Sequence, residues 1–169
     1  HMYKPYDRDA EVVVCTECGI YSGSCGVGER YRDSSWTFTP QDGTMTFRGD
    51  APIGAFYYDK SDHCSQFYAQ INRIVFADDA ELACKSFYAC DSHYVEEIIA
   101  QRTIYCGEES FKGFTVGRIE CVGDATIGYN AFSEITADTI CCQKGISTYM
   151  DSFCCIDVDT LCISGTSDF

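Results

Sequence analysis

Three phenylalanines, Phe111, Phe132 and Phe153, follow one another at intervals of 21 residues, and their surroundings repeat with them. A small residue precedes each: Ser110, Ala131, Ser152. An apolar residue stands three positions after each: Phe114, Ile135, Ile156. A strand-like pair follows at eight and ten positions: Ile119 with Cys121, Ile140 with Cys142, Leu161 with Ile163. An earlier unit, Ser86-Phe87 with Cys90 and then Ile98-x-Ala100, fits with three extra residues. Ile74-x-Phe76 heads the same column. Five stretches therefore align: RIVF, EIIA, RIEC, TICC and TLCI. A fixed period of this length marks a solenoid of stacked units.

One such unit has too little apolar surface to fold alone, so its neighbours must cover it. Stacking lays the strands side by side in a parallel sheet, about 4.8 Å apart. The sequence thus predicts a β-rich solenoid with about five short parallel strands, stacked at a 21–24-residue repeat. A further apolar column lies five residues before each Phe, at Leu82, Cys106 and Ile127. In the last unit this column is expected to shift to Ile146. Residues flanking the strand anchors should point outward: Arg73, Val75, Glu97, Ile99, Arg118, Glu120, Thr139, Cys141, Thr160 and Cys162. A solenoid presents such a face as an extended binding surface. Exposure of Val75, Ile99, Cys141 and Cys162 in adjacent rungs would favour a contact there.

Upstream, Trp36 and Phe38, then Met45 and Phe47, alternate with polar residues about Gln41-Asp42-Gly43, a hairpin signal. That hairpin is well placed to cap the first strand of the stack. The expected division is a frayed terminus or tag over 1–11, an N-terminal β capping region over 12–70 and the solenoid over 71–169. His1-Met2 looks like a cloning remnant. The last strand has no evident cap before Phe169, which points to a fragment, a swapped end or an interface.

The net charge of −14, from 26 acidic and 12 basic residues, argues against nucleic acid and anionic membrane surfaces. No apolar run approaches the roughly 20 residues that would span a bilayer. Thirteen cysteines are scattered without regular spacing, many at core positions. That usage suggests reduced thiols in a reducing or anaerobic setting.

Cys15-Thr-Glu-Cys18 is a weak candidate for zinc or for a redox pair. A C-x-x-C knuckle supplies two thiolates, but neither a second knuckle nor a His pair follows at suitable spacing. A depressed thiol pKa would want a helix N-terminus, and GIYSGSCG is not helical. His63-Cys64 and Cys90-Asp-Ser-His93 put histidine near cysteine, without the third group that orients a base. Neither a nucleophile elbow nor a P-loop occurs. The carboxylates are too dispersed for a calcium loop. Cys142 should face inward above Cys121, while Cys141 and Cys162 should share an outward rung of adjacent strands.

SGSCGVG, SSWTFTPQDGTMTFRGD, INRIVFADD and TIGYNAFSEI together resemble the leader and repeats of leucine-rich-repeat proteins of the BspA type. Residues Ser22 to Gly26 and Trp36 to Gly49 match the leader. Ile127-Gly128 with Ala131-Phe132 matches the repeat most closely. The isoleucine-proline of the family strand is absent, and Cys replaces several Leu or Ile positions. The resemblance implies a secreted or cell-surface solenoid that binds a protein or surface ligand. It carries over neither catalytic residues nor a cofactor. A non-enzymatic binding module is the expected function. The alternatives are self-association through the C-terminal strand and a zinc or thiol-redox protein built on Cys15 and Cys18.

Overall fold

The computed structural model describes residues 12–54, 65–88, 94–165 and 167–168. The expected frayed terminus over 1–11 and the pairs His63-Cys64 and Cys90/His93 lie outside the described residues. The chain winds into a β-solenoid of about four turns with parallel strands stacked at roughly 21-residue spacing.

Four strands come first: β1 (Val13–Val14), β2 (Tyr21–Ser24), β3 (Ser34–Thr39) and β4 (Thr44–Gly49). They pair antiparallel in chain order, with Trp36 opposite Phe47 and Phe38 opposite Met45. All four of those side chains are buried. Phe67, in the 3-10 turn Ser65–Gln70, closes over Trp36 and Phe38, with its ring 5.9 Å from the first and 4.8 Å from the second. From there on the strands alternate long and short: β5 (Arg73–Phe76), β6 (Ala80–Leu82), β7 (Tyr94–Ala100), β8 (Ile104–Cys106), β9 (Thr115–Cys121), β10 (Ala125–Ile127), β11 (Thr136–Cys142), β12 (Ile146–Thr148), β13 (Asp157–Ile163) and β14 (Ser167–Asp168). Among the described residues, β1 to β4 continue through β5, β7, β9, β11 and β13 as one nine-stranded sheet. The short strands β6, β8, β10, β12 and β14 form a second, parallel sheet.

Each coil places one long strand, one short strand and one phenylalanine turn around a common interior. The long strands register Ile74, Ile98, Ile119, Ile140 and Leu161 in one ladder. A bend gives each of the later long strands a second inward position three residues earlier: Val95, Val116, Ala137 and Val158. At the first bend, Glu96 N and Glu97 N both donate to Asn72 O, at 2.8 and 3.3 Å. The turns stack their rings, with Phe87 on Phe111 at 5.1 Å, Phe132 edge-on to Phe111 at 5.7 Å and Phe153 edge-on to Phe132 at 5.5 Å. Burial of each such ring contributes about 1.5–3 kcal/mol before entropy is counted.

Two left-handed positions turn the chain around each ring. One precedes the small residue, at Lys85, Glu109, Asn130 and Asp151; the other follows the Phe by two, at Gly113, Glu134 and Cys155. Left-handed backbone crowds any Cβ against the following carbonyl. Only Gly113 meets this at no steric cost, and Asn130 and Asp151 meet it at a reduced one.

Two details differ from the sequence reading. Ile146 does not take the slot of Leu82, Cys106 and Ile127. It registers with Ala125 and Ile104, and Thr148 takes the expected slot. The last coil is also less buried than its predecessors. Ile140 is fully buried, whereas its ladder partner Leu161 is 47% exposed, because among the described residues no strand follows β13 in the sheet.

Candidate functional site

The outer face of the nine-stranded sheet carries two straight ladders. One reads Thr44, Arg73, Glu97, Arg118, Thr139, Thr160. The other reads Thr46, Val75, Ile99, Glu120, Cys141, Cys162. Strand geometry alone dictates this, because alternate side chains point to opposite faces and parallel pairing aligns them rung by rung. All ten residues expected outside stand on these ladders.

Their environments are unequal. The Arg73 Nε donates to Glu97 Oε2 at 2.9 Å across adjacent strands. The Arg118 guanidinium reaches Glu120 at 2.9 Å along its own strand, and the Gln143 amide donates to the other oxygen of that carboxylate. Both arginine side chains remain about half exposed, at 46% and 49%. Solvent competes at such exposure, so these pairs orient side chains more than they stabilise the fold. Val75 was expected to be exposed, and it is buried, flanked in its rung by Thr46 and Ile99. Ile99, Cys141 and Cys162 are half-buried. The apolar part of the face is therefore Ile99 with the two thiols.

Sequence reasoning missed Tyr94. It opens β7 on the outer face, in register with Thr115, Thr136 and Asp157, and is 49% exposed. Its hydroxyl lies over Gly117 in the next coil, at the place a Cβ would occupy. A glycine in that slot lets the ring lie along the sheet. The corresponding residues of the other coils are acidic and exposed: Glu96, Asp138 and Asp159. The signal was YVEEIIA, whose first half carries no simple alternation because of the bend at Glu96-Glu97.

The cysteines fall into distinct environments. Cys106, Cys121 and Cys142 are buried. Burial pushes the Cys106 thiol up, and the Cys142 hydrogen bond together with burial does the same to Cys121. Both stay protonated and inert. Cys15 and Cys18 are exposed, and hydrogen bonds from Cys18 lower the Cys15 thiol below its usual value. Among the described residues no group of three or more His, Cys, Asp or Glu is placed to hold a metal ion. Cys154 and Cys155 are exposed in the final turn, with their sulfurs 3.4 Å apart. Cys141 and Cys162 face each other across β11 and β13.

A third cluster is ionic. Lys85 Nζ lies 3.2 Å from Glu109, and Lys112 Nζ lies 3.4 Å from Glu109 and 3.6 Å from Glu134. The chain of charges runs along the turns, away from the sheet face. Among the described residues no helix is long and apolar enough to cross a membrane. Comparison with family models, with curated proteins and with solved structures finds no match.

Proposed function

We propose that the chain is a non-enzymatic binding module, a leucine-rich-repeat solenoid of the BspA type, that recognises a protein or surface ligand through its outer sheet face. The observation that carries this reading is the patch formed by exposed Tyr94, half-exposed Arg73 and Arg118 and half-buried Ile99 on registered neighbouring strands. Tyrosine and arginine supply most binding hot spots, because each combines large contact area with a directed polar group. The antiparallel β3–β4 pair would act as the N-terminal cap that keeps the stack in register. The exposed acids Glu96, Asp138 and Asp159 along the same face favour a partner with basic groups at its rim. The family resemblance supports a secreted or cell-surface setting, and the free thiols favour a reducing or anaerobic one.

The test is a pull-down or biosensor screen against extracellular and host-matrix proteins. It compares the wild-type chain with a Tyr94→Ala/Arg118→Ala variant and a Glu97→Gln/Glu120→Gln/Thr139→Ala variant. Loss of a wild-type interaction by tenfold or more in either variant supports the reading. An interaction that survives both variants unchanged sinks it.

A second reading is favoured by Leu161. At 47% exposed on a strand that is at the sheet edge among the described residues, it offers an apolar contact beside backbone groups that no described strand pairs on that side. Self-association of two copies through β13 would bury it. Light scattering at rising concentration checks this reading. A mass that stays monomeric removes it, and a dimer that Leu161→Lys dissociates supports it.

A further inference from the structure

We propose that Cys141 and Cys162 form a dithiol/disulfide site that covalently fastens the last described coil to the one before it. The inference rests on strand register and not on what the sheet face binds.

The two residues are direct partners in the parallel pairing of β11 with β13. In-register parallel strands hold their Cα atoms about 4.8 Å apart, inside the 4.4–6.8 Å range that disulfides span. The Cβ atoms must close slightly further than flat strands place them. Here one partner can move, because among the described residues β13 is the edge of the sheet, and its inward residues Val158, Leu161 and Ile163 are less buried than Ala137, Ile140 and Cys142 beside them. The inner pair Cys121–Cys142 shares the same register one coil earlier. It has strands on both sides and is shielded from reagents, so it serves as an internal control. Cys141 and Cys162 are half-buried, open enough for a small oxidant to reach. Partial burial and the facing Cys162 thiol hold the Cys141 thiol above its usual value, so the exchange should speed up as the pH rises.

The oxidant is a low-molecular-weight disulfide. One thiolate attacks it, forms a mixed disulfide and expels one small thiol. The facing thiolate then attacks the protein-side sulfur, closes the Cys141–Cys162 bond and expels the second small thiol. The two cysteine protons end on the two released thiols, and the electrons that leave the cysteine pair reduce the oxidant. The bond closes a loop over residues 142–161 and pins a strand whose inner side is poorly covered. A dithiol reverses it.

The experiment treats the whole chain with oxidised glutathione at pH 8, blocks the remaining thiols with an alkylating reagent and maps the linked peptides by mass spectrometry. Melting temperature is followed with and without reductant. The expected result is a linkage joining Cys141 to Cys162, reversed by dithiothreitol, with a melting temperature raised by about 5 °C or more. Cys141→Ser and Cys162→Ser should each abolish both the linkage and the shift, while Cys154→Ser/Cys155→Ser should keep them. Two separate glutathione adducts without a link, a linkage confined to Cys154–Cys155, or a shift that persists in Cys162→Ser would each overturn the proposal. The mapping on wild-type chain stands even if a variant fails to fold.

Discussion

Ser110 and Ser152 occupy the same slot of coils two apart, yet their buried hydroxyls have opposite fates. Ser152 Oγ lies 2.8 Å from Ile127 O, 3.0 Å from Gly128 O and 2.6 Å from Tyr149 O, and it accepts from Tyr149 N at 2.9 Å. Ser110 Oγ has no nitrogen or oxygen partner, and its contact is the weakly bonding Cys106 thiol. The slot itself accepts alanine, since Ala131 fills it between them. Ser152→Ala is therefore expected to cost about 1–2 kcal/mol, because it strips a donor from buried carbonyls and an acceptor from an amide. Ser110→Ala should be neutral, or stabilising by up to about 1 kcal/mol, because it removes an unsatisfied buried hydroxyl. Urea unfolding of the two variants checks the contrast. Equal losses would show that the slot does not distinguish them.

The left-handed column after each ring gives a reciprocal pair of substitutions. Gly113 has φ +73° and open space where a Cβ would go, so Gly113→Ala meets only backbone strain. It should lose about 1 kcal/mol. Glu134 holds the equivalent place at φ +57°, and its link to Lys112 is an exposed, weak one. Glu134→Gly is expected to gain a few tenths of a kcal/mol to about 1 kcal/mol, after the extra flexibility of the unfolded glycine is subtracted. Thermal melts of both variants should move in opposite directions.

Glu109 makes stability respond to acid. Burial disfavours its charge, but hydrogen bonds and charges from Lys85 and Lys112 together outweigh that and hold its carboxyl below the usual value. A carboxyl depressed in the folded state binds its proton more tightly when unfolded. The stabilisation is therefore present above the ordinary carboxylate range and fades as the pH falls through the depressed value. Glu109→Gln should cost about 0.5–1 kcal/mol at pH 7. The gap between variant and wild type should narrow in acid and in molar salt. A gap unchanged between pH 7 and pH 3 would assign the loss to packing instead.

The repeat was legible in the sequence because buried ladders demand the same residue type at the same offset in every coil. Ile119, Ile140 and Phe132 announce themselves that way, and the outer residues follow by alternation. What stayed hidden has local physical reasons. The strands of the second sheet are two or three residues long, too short to show alternation, so Leu82, Cys106 and Ile127 read as an apolar column and not as a sheet of their own. The bend that sends both Val95 and Ile98 inward breaks the alternation, and with it the clue to Tyr94. Val75 reads as exposed by alternation, whereas its burial depends on neighbouring strands. Leu161 obeys the pattern but has no covering strand among the described residues.

That inequality between coils predicts a gradient along the ring ladder. Phe132 is buried between Phe111 and Phe153, with a ring neighbour on each side. Phe153 is half-buried in the last described turn, and among the described residues Phe132 is its ring neighbour on one side only. Truncation of a buried ring removes its transfer energy and leaves a cavity that rigid neighbouring strands cannot collapse. Phe132→Ala should thus cost about 3–5 kcal/mol and, in a chain of ordinary stability, bring unfolding close to working temperatures. Phe153→Ala should cost about half as much, because part of its surface is already wet and the end coil can relax. In a stack held by nearest-neighbour interfaces, the inner variant should unfold the whole chain, and the outer one should first loosen the last coil. Hydrogen exchange separates the two cases. Protection lost only over β12 and β13 in Phe153→Ala, with β7 and β9 still protected, is the expected pattern. Uniform loss in both variants would mean that the coils unfold as one unit.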